Sequence, residues 1–186
     1  MTDKKILQAP FSEEDIKSLR AGDMVYISGT IYTARDAAHK RLTEMLARGE
    51  DMPFDFKGQG VYYAGPCPAK PGKPIGSVGP TTGGRMDAYS PTLIEQGLKV
   101  MIGKGSRSED VIEALKRFNG VYFAAIGGAA ALMAKCVKSA EVIAFDELGT
   151  EAIRRLEVEE LPVIVAIDNQ GNNAYNKGRE EFACKN

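Results

Sequence analysis

Three short stretches of this 186-residue chain hold side chains suited to gripping an anion. The first, "GTIYTARDAAHKRL" at residues 29–42, contains the only histidine, His39, one helical turn beyond Arg35 and beside Lys40. With Thr33 as a helix cap and Asp36 completing a capping box, Arg35 is expected in the first turn of a helix. That end carries partial positive charge, so a cation there is unfavourable by up to ~1 kcal/mol unless an anion answers it. Asp36 is one candidate for that anion, and a bound substrate carboxylate is another. His39 would share a face with Arg35 while bordering an apolar stripe. For it, a satisfied, half-buried imidazole stands beside a ligand-facing one.

The second stretch, "GSVGPTTGGRMD" at residues 76–87, packs four glycines and two threonines ahead of Arg85. Such a loop exposes backbone N–H groups that cradle an oxyanion, and the arginine adds a bidentate fork. The competing reading is a tight connection whose glycines serve positive φ angles. The third is "GKG", which puts Lys104 at the end of an apolar strand, the edge where α/β sheets bind ligands. It lacks the spacing of a nucleotide-binding phosphate loop, and a solvated turn lysine is its alternative. Together the three corners suggest a small ligand with more than one negative charge. A phosphate ester and a dicarboxylate are not separated by these residues.

The elements that must position these groups follow from periodicity. "FSEEDIKSLRAG" reads as a short helix capped by Ser12 and Asp15. "DMVYISGTIYT" reads as a long strand interrupted at Gly29, and "ARDAAHKRLTEMLARGE" as a helix ending at Gly49. "GVYYAG" and "PIGSVG" are expected strands, and "SPTLIEQG" a helix with Ser90 as cap and Pro91 first. Two strand–turn–helix units follow, "LKVMIGKGSRSEDVIEALKRFNG", with Ser106 and Glu109 as capping box, and "VYFAAIGGAAALMAKCV". The rest reads as strands "EVIAFDELG", "AIRRLEVE" and "LPVIVAIDNQGNNAY", the last turning at Asn169–Gly171, before a polar tail from 175 expected to fray. The sum is an α/β fold with a mixed sheet and crossover helices, as one domain over 1–186.

Composition bounds the function. Hydrophobic residues at 44% and charged residues at 26% are ordinary for a soluble globular protein. A formal net charge of −1 favours neither nucleic acid nor an anionic membrane as partner. No apolar run is long enough for a bilayer, and the start "MTDKKILQAP" lacks a secretion signal, so a cytoplasmic location is expected. Cys67, Cys136 and Cys184 are far apart, and with a single histidine they make a metal site within this chain improbable.

The blocks "GTIYTARDAAHKR", "YYAGP", "GPTTGGRMD", "IGKG", "GGAAALMAKCVKSAEVIAFDELGTEAI" and "LPVIVAIDNQGN" occur in that order. In this respect the chain resembles the β subunit of class I (iron–sulfur) fumarases, equivalent to the carboxy-terminal domain of the single-chain forms. The resemblance runs from about the first helix to the final turn. It implies a swivelling β/β/α fold and a hydro-lyase that interconverts fumarate and malate. It also implies a hetero-oligomer with an α subunit whose cysteines hold a [4Fe–4S] cluster. Carried over residue by residue, Arg35, Arg85 and Lys104 match the contacts to substrate carboxylates, and Thr81 matches the proposed catalytic base. His39 matches the family histidine of "DAAH" and is carried as a second catalytic candidate. The L(+)-tartrate dehydratase β subunit shares this fold and chemistry and is the nearest alternative. A non-catalytic module binding a dicarboxylate or phosphate is the other.

Overall fold

The first five strands run parallel, each delivered to the next through a helix, which is how a parallel sheet buries both faces. The computed structural model describes residues 5–182, with side chains through Arg179. Strand β1 (Lys5–Ala9) leads through α1 (Glu13–Ser18) to β2 (Met24–Thr33), and α2 (Asp36–Arg48) leads on to β3 (Gly60–Tyr62). Helix α3 (Ser90–Glu95) precedes β4 (Val100–Gly103), and α4 (Glu109–Phe118) precedes β5 (Val121–Ala124). After α5 (Ala130–Lys135) come β6 (Val137–Ala144), a 3₁₀ segment (Asp146–Glu151), β7 (Ile153–Ile167) and α6 (Ala174–Phe182).

The sheet order is β1-β2-β3-β4-β5-β7-β6, with β2 and β7 also paired. That extra antiparallel pairing, from Met24↔Ile164 to Thr33↔Arg154, closes β2-β3-β4-β5-β7 into a ring. The ring separates two cores. Val25, Ile27, Tyr62, Val100, Ile102, Phe123 and Val163 belong to one. Val61, Met101 and Tyr122, from the opposite faces of their strands, pack with Leu42, Leu93 and Leu115 of α2, α3 and α4 in the other. The mixed sheet with interspersed helices is the α/β architecture expected. Among the described residues no helix is long and apolar enough to cross a membrane.

Local chemistry explains most boundaries. The Ser12 hydroxyl accepts from the Asp15 N–H (3.1 Å) while Asp15 accepts from the Ser12 N–H (2.9 Å), the reciprocal box expected for α1. Gly29 has φ +96°, and a Cβ there would lie 2.6 Å from the Ala9 carbonyl, so only glycine fits where the β2–β7 register shifts. Gly49 closes α2 in the left-handed region.

Several expectations are corrected. Thr33 does not cap α2: it stays in β2, where its hydroxyl accepts from the Arg154 N–H (3.2 Å), and Arg35 takes the cap position. Ser108, not Ser106, caps α4 by accepting from the Val111 N–H. Tyr89 rather than Ser90 precedes α3, a shift of one residue. "PIGSVG" is not a strand, because β3 already has β2 and β4 as neighbours; its backbone bonds instead to Cys67 and Ala130. "AIRRLEVE" and "LPVIVAI" form one continuous strand, β7, since β2 pairs with both parts across the register shift at Ile27–Gly29. The tail forms α6 through Phe182 instead of fraying from 175, and residues 183–186, with Cys184, lie outside the described residues.

Candidate active site

The carboxyl ends of β2, β3 and β4 bring the three sequence corners to one edge of the sheet. Arg35 follows the end of β2, Lys104 follows β4, and the threonine–glycine loop is stitched between the ends of β3 and β4. The Thr81 N–H donates to the Tyr63 carbonyl (2.7 Å), the Lys104 N–H to the Thr81 carbonyl (3.0 Å), and the Gly83 N–H to the Lys104 carbonyl (2.7 Å). The last two bonds bridge Lys104 to Thr82 in parallel, with Thr81 one residue before the bridge. A 3₁₀ turn (Gly83–Met86) then presents Arg85, whose guanidinium forms an ion pair with Asp36 at the start of α2. Arg85 is thus tied to the residue after Arg35, and Lys104 to Thr81 through the backbone.

The start of α2 shows how the cations are balanced. Arg35 has no side-chain cap; Glu151, from the segment before β7, accepts from the Ala37 N–H (3.0 Å) and lies 3.4 Å from Arg35 Nη2. Asp36, one of the two anions considered for Arg35, therefore answers Arg85 instead, and Glu151 answers Arg35. The half-buried Arg35 packs over Gly65, where a Cβ would stand 2.8 Å from Nη1. Its Nε is buried without a partner. Among the described residues Lys104 has no carboxylate partner and is exposed. Three cations face two carboxylates, which leaves this edge attractive to an added anion.

His39 is fully buried, not half-buried. The Arg35 carbonyl accepts from its main-chain N–H (2.8 Å) and lies 2.9 Å from Nδ1, and since a carbonyl only accepts, Nδ1 carries the proton. Burial pushes the ring's pKa down to about 4, aided by the Arg107 charge and opposed by the Arg35 carbonyl. His39 is a neutral imidazole under the Arg35 turn, edge-on to Tyr63 at 5.2 Å, with its Nε2 unpartnered.

Sequence reasoning missed a buried polar cluster behind the loop. Arg107, with a side chain 0% exposed, donates from Nε to Asp87 Oδ1 (2.6 Å) and from Nη2 to the Ser90 hydroxyl (2.7 Å). Its guanidinium carbon lies 5.3 Å from the Tyr63 ring centre and 4.7 Å from that of Tyr122. Asp87 Oδ2 also accepts from the Ser108 N–H (2.7 Å). The one available signal was an arginine between two serines in "SRS", which has no periodic meaning.

The iron–sulfur cluster implied by the resemblance is expected on a companion subunit, and the described residues of this chain offer no ligand set that fits one. Cys67 is exposed and Cys136 is half-buried, its Sγ 3.9 Å from the Leu132 carbonyl and 3.8 Å from that of Glu160. Among the described residues no three His, Cys, Asp or Glu side chains converge. Two cavities, of about 340 and 610 Å³, flank the proline-rich loop and are lined in part by Cys67, Pro74 and Ile75. Neither includes Arg35, Arg85 or Lys104; the convergent charges mark the stronger candidate, because they sit at the strand ends on an open face.

A ringed mixed sheet with interspersed helices makes this an α/β domain, and the cations and threonine–glycine loop at the ends of its parallel strands are its candidate site. The sequence profile described as Fumarase C-terminus matches residues 2–178, and the chain belongs to that family. It is 40% identical over 166 residues to fumarate hydratase 2 of Leishmania major, covering 88% of this chain and 29% of that one. It is 43% identical over 151 residues to the aerobic class I fumarate hydratase of Escherichia coli K12, covering 80% and 28%. Against the L(+)-tartrate dehydratase subunit beta of the same organism, identity is 37% over 185 residues, covering 97% and 90%. The chain thus spans less than a third of the fumarate hydratases it matches and most of the tartrate dehydratase subunit.

Proposed function

We propose that this chain is the β-type part of a hydro-lyase that reversibly hydrates fumarate to malate in the cytoplasm, acting as one domain with a cluster-bearing α polypeptide. What supports the reading is that Arg35, Thr81, Arg85 and Lys104 all follow the carboxyl ends of β2, β3 and β4, with Arg85 paired to Asp36 beside Arg35. Family membership makes the diacid the preferred anion over a phosphate ester.

Removing a proton beside a carboxylate drives negative charge onto that carboxylate. Fixed cations aimed there stabilise the developing charge more than the ground state, and only that difference accelerates the step. Arg85 and Lys104 are assigned to that carboxylate, and Arg35, with its unpartnered Nε, to the other. Thr81 is assigned as the base, with a stated requirement. Its hydroxyl donates to the Tyr63 carbonyl (2.8 Å), and an alkoxide facing that oxygen would be repelled, so the hydroxyl must turn toward Lys104 before it accepts a proton. His39, enclosed and neutral, is assigned to holding the Arg35 turn rather than to transferring a proton. Ile126, two residues past β5, and Leu132, in α5, are 51% and 54% exposed and supply apolar surface for the companion polypeptide.

A second reading, the L(+)-tartrate dehydratase β subunit, is supported by 37% identity over most of both chains. The test is turnover by the assembled enzyme. Malate and fumarate as the preferred substrates support the first reading, tartrate supports the second, and binding without turnover supports a non-catalytic module.

A further inference from the structure

The Arg107 guanidinium, its side chain fully buried, joins the two loops that carry Arg85 and Lys104, with Asp87 at the edge of the cluster still partly exposed. Asp87 follows the 3₁₀ turn that presents Arg85 and closes it, with its N–H donating to the Gly84 carbonyl. Arg107 lies one turn of chain beyond Lys104. The Nε–Oδ1 contact and the Ser108 N–H to Oδ2 contact place both Asp87 oxygens on the Lys104 loop. The remaining donors reach the Ser90 hydroxyl and, at 3.4 Å, the Tyr63 hydroxyl. The Gly83 backbone lies against the same group: a Cβ there would sit 2.9 Å from Arg107 Cδ and 2.5 Å from the Tyr122 hydroxyl.

Stability alone explains this arrangement poorly. A buried ion pair loses much of its attraction to desolvation, and a well-packed apolar substitute is often as stable. What a planar guanidinium supplies that an apolar group does not is direction, because its donors are fixed in one plane. Here those directions fix one loop against the other.

We propose that Arg107, acting through Asp87, is a positioning residue that sets where Arg85 stands relative to Lys104. The inference rests on the proposed reading for its kinetic consequence, but its structural consequence stands independently. Arg107 touches no substrate; it acts through Arg85.

The test is a double-mutant cycle in the assembled enzyme, with Arg107→Lys and Arg85→Lys singly and together. Arg107→Lys keeps the charge and loses the fork. The expected result is a fall in kcat/KM of about tenfold or more from Arg107→Lys alone, shrinking to less than about threefold when Arg85 is already lysine. A merely structural role predicts the same factor in both backgrounds, and that outcome, or no effect at all, overturns the proposal. Asp87→Asn, which keeps size and shape, gives a readout that needs no turnover and serves if Arg107→Lys does not fold. Its crystal structure should show the 3₁₀ turn displaced and Arg85 off Asp36. Arg85 still on Asp36 in that structure overturns the proposal whatever the enzyme turns over, whereas a wild-type enzyme inert to fumarate, malate and tartrate contradicts only the functional reading.

Discussion

Asp36, the first residue of α2, and Arg85, in the turn after β3, form an ion pair that joins two parts of the site far apart in sequence. The carboxylate belongs to the helix that Arg35 caps, so one contact fixes both arginines to a common frame. Asp36→Asn should leave stability within about 1 kcal/mol of wild type, since Arg85 is largely exposed and such pairs are weak. It should nevertheless lower kcat/KM about tenfold, through loss of orientation. Denaturant unfolding and steady-state kinetics on the same preparation check both halves.

His39 makes the fold sensitive to mild acid. Its ring pKa is about 4 in the folded chain against an ordinary value of 6.5, so between those limits the unfolded chain binds a proton that the folded chain does not. Stability is therefore full above pH 6.5 and declines as pH falls through that window, by roughly 3 kcal/mol in all and about 2 kcal/mol between pH 7 and 5. His39→Gln removes the titrating group, and its unfolding free energy should change correspondingly less between those two pH values. Equal pH dependence in both proteins would show that His39 is not the acid-sensitive group.

Local signals were legible in the sequence, and long-range ones were not. The Ser12–Asp15 box and the Gly49 stop each involve residues within one turn, and both stand as expected. The candidate site was legible as three separate corners, because each has its own chemistry in "ARD", "TTGGR" and "GKG". Which acid answers which arginine was not, because Glu151 is remote from Arg35 in sequence and is brought beside it by the β2–β7 pairing. The caps of α2 and α4 slipped by two residues for related reasons: β7 holds Thr33 in the sheet, and Asp87 binds the Ser108 N–H. Arg107 was invisible because its partners lie on other loops with no periodicity to connect them.

Gly65 in "YYAGP" leaves room for Arg35. Its backbone is outside the left-handed region, so alanine is conformationally allowed, but the new Cβ would meet Nη1 at 2.8 Å and the Thr150 carbonyl at 3.2 Å. The flexible guanidinium would yield first. Gly65→Ala should shift unfolding by less than about 1 kcal/mol and lower kcat/KM about tenfold by displacing Arg35. A wild-type kcat/KM would mean that the Arg35 position is immaterial.

Thr81 separates two roles by substitution. Serine preserves the hydroxyl and its reach to the Tyr63 carbonyl; alanine removes both. Thr81→Ser should retain turnover within about tenfold, and Thr81→Ala should lose about 100-fold or more in kcat, the range general-base catalysis supplies. Equal activity in the two variants would remove Thr81 from the proton transfer.

The central claim is that Arg35, Arg85 and Lys104 hold one diacid together, and Arg85→Ala in the assembled enzyme tests it most directly. The measurement is kcat/KM for fumarate and malate beside the unfolding midpoint of the same protein. The predicted result is a fall of at least about 100-fold with the midpoint essentially unchanged, as expected when a fixed cation is removed from developing charge. A kcat/KM equal to wild type would contradict it.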